Sequence, residues 1–167
     1  MKKTTTVLCV LLMLFSLCAC TQNTQNMTSP AKFYYCNDSI SYHSEQGVIC
    51  PETRETALIN SDLKTLLNSY FAGPVSKELN SPYPADASVY DLIIYDDIVH
   101  VILNDAFTRL NGVDLSIALS CLSMTVMEYT GISSVQISIH NNTIYGKSSL
   151  ILNRNKLLLV DSSAPVN

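Results

Sequence analysis

Six cysteines, three histidines and one adjacent pair of aspartates carry most of the chemistry available to this 167-residue chain. Cys36 and Cys50 flank thirteen residues, with strand-like segments on both sides. In an oxidising compartment that spacing allows a disulfide contributing about 3 kcal/mol of loop entropy; otherwise both remain thiols. Cys121 as a nucleophile would need a base and an exposed, electropositive setting. Its neighbours are apolar at helical spacing, so it reads as a packed thiol. His100 sits in the middle of a strand, and His140 ends one beside Asn141-Asn142, where a turn accounts for it. Asp96-Asp97 could be imagined as an acid/base or metal dyad, but adjacent turn residues diverge and Asp is an ordinary turn former. No spacing suits zinc, and no G-x-S-x-G, H-E-x-x-H, C-x-x-C or phosphate-loop motif occurs. The residues argue for no enzyme, no metal and no cofactor.

Composition narrows the classes further. The chain is 47% apolar and 14% charged, which excludes wholesale disorder and fits one domain with appendages. Lys2 and Lys3 precede an apolar run, Val7 to Leu17, too short for the roughly twenty residues that span a bilayer. It has the length of a signal-peptide core. Without that leader, eight basic residues stand against 14 acidic ones, and no basic cluster remains to grip a phosphate backbone. Nucleic-acid binding is not expected.

After the leader comes Leu17-Cys18-Ala19-Cys20, which resembles the lipobox of bacterial lipoproteins. The resemblance implies cleavage before Cys20, a diacylglyceryl group on its thiol and acylation of the new amino terminus. Two or three acyl chains give durable attachment where one is marginal. Residues 1–19 are then the signal peptide. Residues 20–32, rich in Asn, Gln, Thr and Ser, form a polar tether.

The elements that would position any site follow from periodicity. Lys32 to Cys36 and Gly47 to Glu52 read as a first strand pair around a polar loop containing His43. Leu63, Leu66, Leu67, Tyr70 and Phe71 form one helical stripe behind a Ser61-Asp62 cap, stopped by Gly73-Pro74. Ser88 to Tyr95 and Ile98 to Leu103 make a hairpin turning at Asp96-Asp97. A two-residue turn pairs Ile94 with Val99, Leu92 with Val101 and Tyr90 with Leu103 on an apolar core face. The opposite face carries Asp91, Ile93, Tyr95, Ile98, His100 and Ile102. It is mixed, and serves either as a contact surface or as a face half covered by the C-terminal strands. A longer helix, Leu115 to Tyr129, is apolar on more than half its circumference. Val135, Ile137 and Ile139 then alternate with polar residues, and Ser149–Leu152 with Leu157–Val160 reads as a last pair. The order predicts an α+β domain, an antiparallel or mixed sheet with two helices packed on one face.

Several short motifs in order resemble the sporulation and spore-germination domain known as GerMN. They are Tyr34-Tyr35, Pro51-Glu52-Thr53-Arg54, Leu66-Leu67 before Gly73-Pro74, and Leu79-Asn80-Ser81-Pro82-Tyr83-Pro84. Val99 to Phe107, then Ala118 to Tyr129 and Gly131 to Ile139, complete the pattern. Asn141-Asn142 stands where the family often has Asp-Gly. The resemblance implies a GerMN-like domain over 33–147 with a C-terminal strand pair and tail over 148–167. It implies a fold similar to the ring-building modules of secretion systems and no catalytic residues.

The expected function is a lipid-anchored, extracytoplasmic assembly module of a Gram-positive cell envelope, in sporulation or germination. Its expected partners are the membrane, through the lipid on Cys20, and envelope proteins or a second copy of itself. The alternative is a small-ligand or peptidoglycan-binding lipoprotein, for which a pocket ringed by the nine tyrosines would be the sign. A hydrolase would need polar groups converging on His100 or Cys121.

Overall fold

The computed structural model describes residues 29–37, 48–56 and 62–157. The leader, Cys20, the tether up to residue 28, the loop with His43 and everything from residue 158 lie outside them. Strand β1 (Ser29–Asn37) pairs antiparallel with β2 (Ile49–Thr56). β1 takes in the last four residues of the expected tether. Pro30, Ala31 and Lys32 find partners in Glu55, Arg54 and Thr53, so the ladder outruns the aromatic segment that nucleates it.

Helix α1 (Leu63–Tyr70) begins where the Asp62 carboxylate accepts the Thr65 N–H at 2.7 Å. Leu63, Leu66, Leu67, Tyr70 and the following Phe71 are all buried, as their spacing predicts. Gly73, at φ 103°, turns the chain away in a conformation that disfavours any side chain. Next come β3 (Leu79–Asn80), β4 (Val89–Ile94), β5 (Ile98–Leu103) and a 3₁₀ turn (Asp105–Arg109). Helix α2 (Gly112–Thr130), β6 (Ser134–Ile139), β7 (Leu150–Asn153) and a second 3₁₀ turn (Arg154–Lys156) complete the described chain.

The α+β class holds, with the strands divided between two sheets, β2-β1-β3 and β4-β5-β6-β7. The second is mixed. β5 and β6 run parallel, and α2 supplies the crossover such a pair needs. β7 adds to the sheet edge beside β6. The partner expected for it, Leu157–Val160, lies almost wholly outside the described residues. α2 packs on β1 of one sheet and on β6 and β7 of the other. A helix enclosed from both sides has no wet face, so every residue from Ile117 to Met127 is buried.

Polar groups in that core are paired. β3 is two residues long and reaches only Cys36 and Asn37 of β1, leaving Tyr34 without a backbone partner there. Thr125 Oγ1 accepts the Tyr34 N–H at 3.1 Å, and the Tyr70 hydroxyl donates to the Tyr34 carbonyl. Tyr70 also meets the Tyr83 hydroxyl at 2.6 Å. Its ring lies among those of Phe33, Tyr35, Phe71 and Tyr83.

Burial pushes the Tyr35, Tyr70 and Tyr83 phenols well above their ordinary pKa of 10.0. Above about pH 10 the unfolded chain releases phenolic protons that the folded chain keeps. Stability is therefore unaffected by these groups below that pH and falls as the pH rises through it. Ultraviolet titration should show the three phenols ionising only together with alkaline unfolding.

Candidate protein-binding face

The four-stranded sheet has one face under α2 and one without a covering layer among the described residues. Val99, Val101, Leu103, Val135, Ile137 and Ile139 point inward and are buried. Their alternates on β5 and β6 are half-buried. Cross-strand pairing sets the open face in rows. Ile93, His100, Gln136 and Ile151 form one, with Asp91, Ile102 and Ser138 beside it. Ile98, Ser134 and Asn153 form another. All six residues singled out from the sequence belong to this face or its hairpin tip.

The hairpin register matches expectation at Ile94/Val99, Leu92/Val101, Ile93/His100 and Asp91/Ile102. The turn closes with the Tyr95 N–H donating to the Ile98 carbonyl at 2.9 Å. Tyr90 is the correction. A bulge between Val89 and Asp91 puts Val89, not Tyr90, opposite Leu103. Freed from the core, Tyr90 stacks on His140 with ring centroids 3.7 Å apart. The bulge coincides with two capping contacts from α1. Asn68 Oδ1 accepts the Val89 N–H at 2.9 Å, and Lys64 Nζ donates to the Tyr90 carbonyl at 2.7 Å.

Ile94 is a second difference. It shares the face of Val99 but is 56% exposed, because β4 is an edge strand and its tip runs past the core. Ile93, Ile94 and Tyr95 thus form a run of three exposed, consecutive apolar residues, at 38, 56 and 52%. Such a run is a solubility cost that folds ordinarily avoid. Ile151, at 46%, extends the apolar area across the sheet.

At the centre of the open face His100 Nε2 lies 2.9 Å from Ser138 Oγ. Partial burial holds the imidazole below its ordinary pKa of 6.5, with Asp91 pulling the other way. Asp91 itself accepts its neighbour Leu92's N–H at 2.8 Å. The His100–Ser138 pair lies on adjacent rows of the open sheet face, where the β5–β6 ladder pairs the neighbouring backbone.

The cysteines need a further correction. None of the three described cysteines, Cys36, Cys50 and Cys121, is joined in a disulfide. Cys36 stands opposite Ile49 and Cys50 opposite Tyr35, so the two cysteines are diagonal neighbours one step apart. Strand alternation then aims them to opposite faces of the β1–β2 pair, and the Cys36–Cys50 bridge cannot close without shifting the register. Cys121 is packed in the core as expected. No group of three or more potential metal ligands gathers among the described residues. A cleft of about 470 Å³ is lined by residues that include Cys36, Pro82, Tyr83, Pro84, Leu110 and Ile117, with Arg109 and Asp114. Tyr83 is its one tyrosine. Tyr34, Tyr35 and Tyr70 are core residues and Tyr90, Tyr95 and Tyr145 surface ones, so among the described residues no ring of tyrosines lines it.

Known proteins bear on this arrangement. A family model described as Germane, sporulation and spore germination, matches residues 32–145. The first GerMN domain of the sporulation protein GerM from Bacillus subtilis superposes with a TM-score of 0.56 at 16% identity. That match covers 77% of this chain and 99% of the other. The tandem GerMN domains of the same protein give a TM-score of 0.58 at 19% identity, over 81% of this chain and 49% of the other. These likenesses concern the fold. No curated protein sequence matches the chain significantly.

Proposed function

The chain belongs to the Germane family of sporulation and spore germination, and from that premise we propose that it is a lipid-anchored assembly module on the outer side of the cell membrane. In this reading the Cys20 lipid holds the domain at the membrane and the tether sets its distance. The module works by binding an envelope protein rather than by catalysis. The family is not known for enzymatic activity.

One observation supports the binding role above the others: the exposed Ile93-Ile94-Tyr95 run at the tip of β4, continuous with Ile98, His100 and Ile102. α1 occupies the first part of the free β4 edge and stops short of the tip. The tip therefore offers apolar side chains and a strand edge that no other described strand pairs, which is what a protein partner can use. Asp91 and His100 add polar groups that would orient it.

The test is a double substitution, Ile93→Ala with Ile98→Ala, in the full-length protein. Melting temperature should stay within about 2 °C, since neither side chain is fully buried. Recovery of partners from envelope membranes should fall about ten-fold or more, as at an interface hot spot. A large drop in melting temperature would instead assign both residues to the core.

A further inference from the structure

At the end of β4 away from the Ile93–Tyr95 run, the bulge leaves Tyr90 beside a hollow of about 300 Å³. Tyr90 and His140 line it together with Asn104, Asp105, Asn141 and Asn142. Tyr90 lies on His140 with ring planes 18° apart and stays 52% exposed, so the stacked pair is an apolar wall that solvent still reaches. The wall is anchored, because the His140 N–H donates to the Leu103 carbonyl at 2.8 Å. The Asn142 N–H donates to the Ile139 carbonyl at 3.1 Å and closes a turn around His140 and Asn141. Asn141 stands there at φ 56°, a conformation Asn tolerates better than most residues. After β5, the Asn104 carboxamide accepts the Ser88 N–H at 3.2 Å and donates to the Asp86 carbonyl at 2.8 Å.

The frame is thus fixed, while several polar groups on it stay available. Among the described residues, no hydrogen bond engages the Asp105 carboxylate, the Asn141 carboxamide or the Tyr90 hydroxyl, and all three residues are exposed. No lysine or arginine is among the lining residues, and the Lys64 ammonium is held by the Tyr90 carbonyl. A phosphate, sulfate or carboxylate ligand would therefore meet the Asp105 charge with no cation to offset it. A wholly apolar ligand would cover the Asp105 and Asn141 groups without giving them partners. The chemistry left is a ligand with a C–H face and uncharged hydroxyls.

We propose that this hollow binds one uncharged pyranose unit of a glycan. The C–H face of the sugar ring packs on the Tyr90–His140 wall, as apolar surface packs on an aromatic side chain. Its hydroxyls donate to the Asp105 carboxylate and the Asn141 carbonyl, and one accepts from the Asn141 amide. A volume of about 300 Å³ is at the small end for ligand pockets, which suits a single sugar ring with the rest of the chain running outward. The site lies apart from the apolar β4 tip, so it stands whether or not that tip holds a protein, and whether or not Cys20 carries lipid.

Full-length protein in a zwitterionic, sugar-free detergent would be titrated by calorimetry with tetra-N-acetylchitotetraose, maltotetraose and tetragalacturonate. At least one neutral tetrasaccharide should bind saturably, and the tighter of the two tells an N-acetylated glycan from a plain glucan. Tetragalacturonate should bind at least ten-fold more weakly. Tyr90→Ala and Asp105→Ala should each weaken binding about ten-fold, through lost stacking area or lost hydrogen bonds to a charged group. Tyr90→Phe keeps the wall and should stay within about three-fold of the wild type. The Ile93→Ala, Ile98→Ala double variant should bind the sugar unchanged, which separates this site from the protein-binding face. In the wild type the His140 imidazole resonances should shift along the titration, a readout that holds even if a variant fails to fold. Absence of saturable binding by either neutral glycan, equal binding of tetragalacturonate, or His140 resonances unmoved at saturation would overturn the proposal.

Discussion

Replacing Arg54 with Met is expected to destabilise the fold by about 3 kcal/mol, the cost of stranding a buried carboxylate. Arg54 and Glu52 are alternate residues of β2 on one face, 17 and 9% exposed at the side chain, and their ion pair closes at 2.5 Å. Each also holds the segment that follows α1. Arg54 donates to the Gly73 carbonyl and to the Tyr35 hydroxyl, both at 2.8 Å. Glu52 Oε1 accepts the N–H groups of Val75 and Ser76 at 2.9 and 2.6 Å. The guanidinium further lies over the rings of Phe33 and Tyr35, 4.9 and 5.3 Å from their centroids. The Pro-Glu-x-Arg motif is therefore a clamp, fastening the Gly73–Ser76 turn to the three-stranded sheet. Glu52→Gln in the Arg54→Met background should recover part of the loss, because it removes the unpaired charge yet keeps an acceptor for the turn. Urea unfolding of the wild type, both single variants and the double variant measures that coupling.

Tyr70→Ala should cost still more, about 3–5 kcal/mol, the range for deleting a buried aromatic side chain. Tyr70 is fully buried at the end of α1, in ring contact with four aromatic neighbours. Its removal opens a cavity where α1, β1 and the Tyr83 loop meet. Tyr70→Phe separates packing from hydrogen bonding. It keeps the ring but orphans the Tyr34 carbonyl, so about 1–3 kcal/mol should be lost. Equal losses for the two variants would place the whole effect in the hydroxyl and remove the packing explanation. Both values come from the shift of the urea midpoint at unchanged slope.

Local pattern made much of this architecture readable in advance. The α1 stripe, its Asp62 cap and the Asp96-Asp97 turn depend on neighbours within a few residues, and each stands where periodicity puts it. The open face was legible for the same reason. Alternation from a fixed turn assigns Asp91, Ile93, His100 and Ile102 to one side. What escaped depends on contacts distant in sequence. The Tyr90 bulge coincides with Asn68 and Lys64 of α1 gripping the β4 edge, and nothing within β4 announces it. The division into two sheets follows from α2 being enclosed on both sides. The all-round apolar character of Leu115 to Tyr129 hinted at that without naming the second sheet. Spacing alone favoured Cys50 as the partner of Cys36, whereas the register of β1 on β2 turns the two apart. The Ile93–Tyr95 run was split between core and surface on paper. Only the position of β4 at the sheet edge exposes all three.

The role proposed for this face presupposes that the domain stands outside the cytoplasm on a lipid carried by Cys20. Radiolabelled palmitate fed to cells producing the full-length chain tests that directly. The account predicts label on the mature protein in the membrane fraction, and its loss together with release from the membrane in Cys20→Ala. An unlabelled wild type, or a Cys20→Ala protein that labels and fractionates identically, would contradict it.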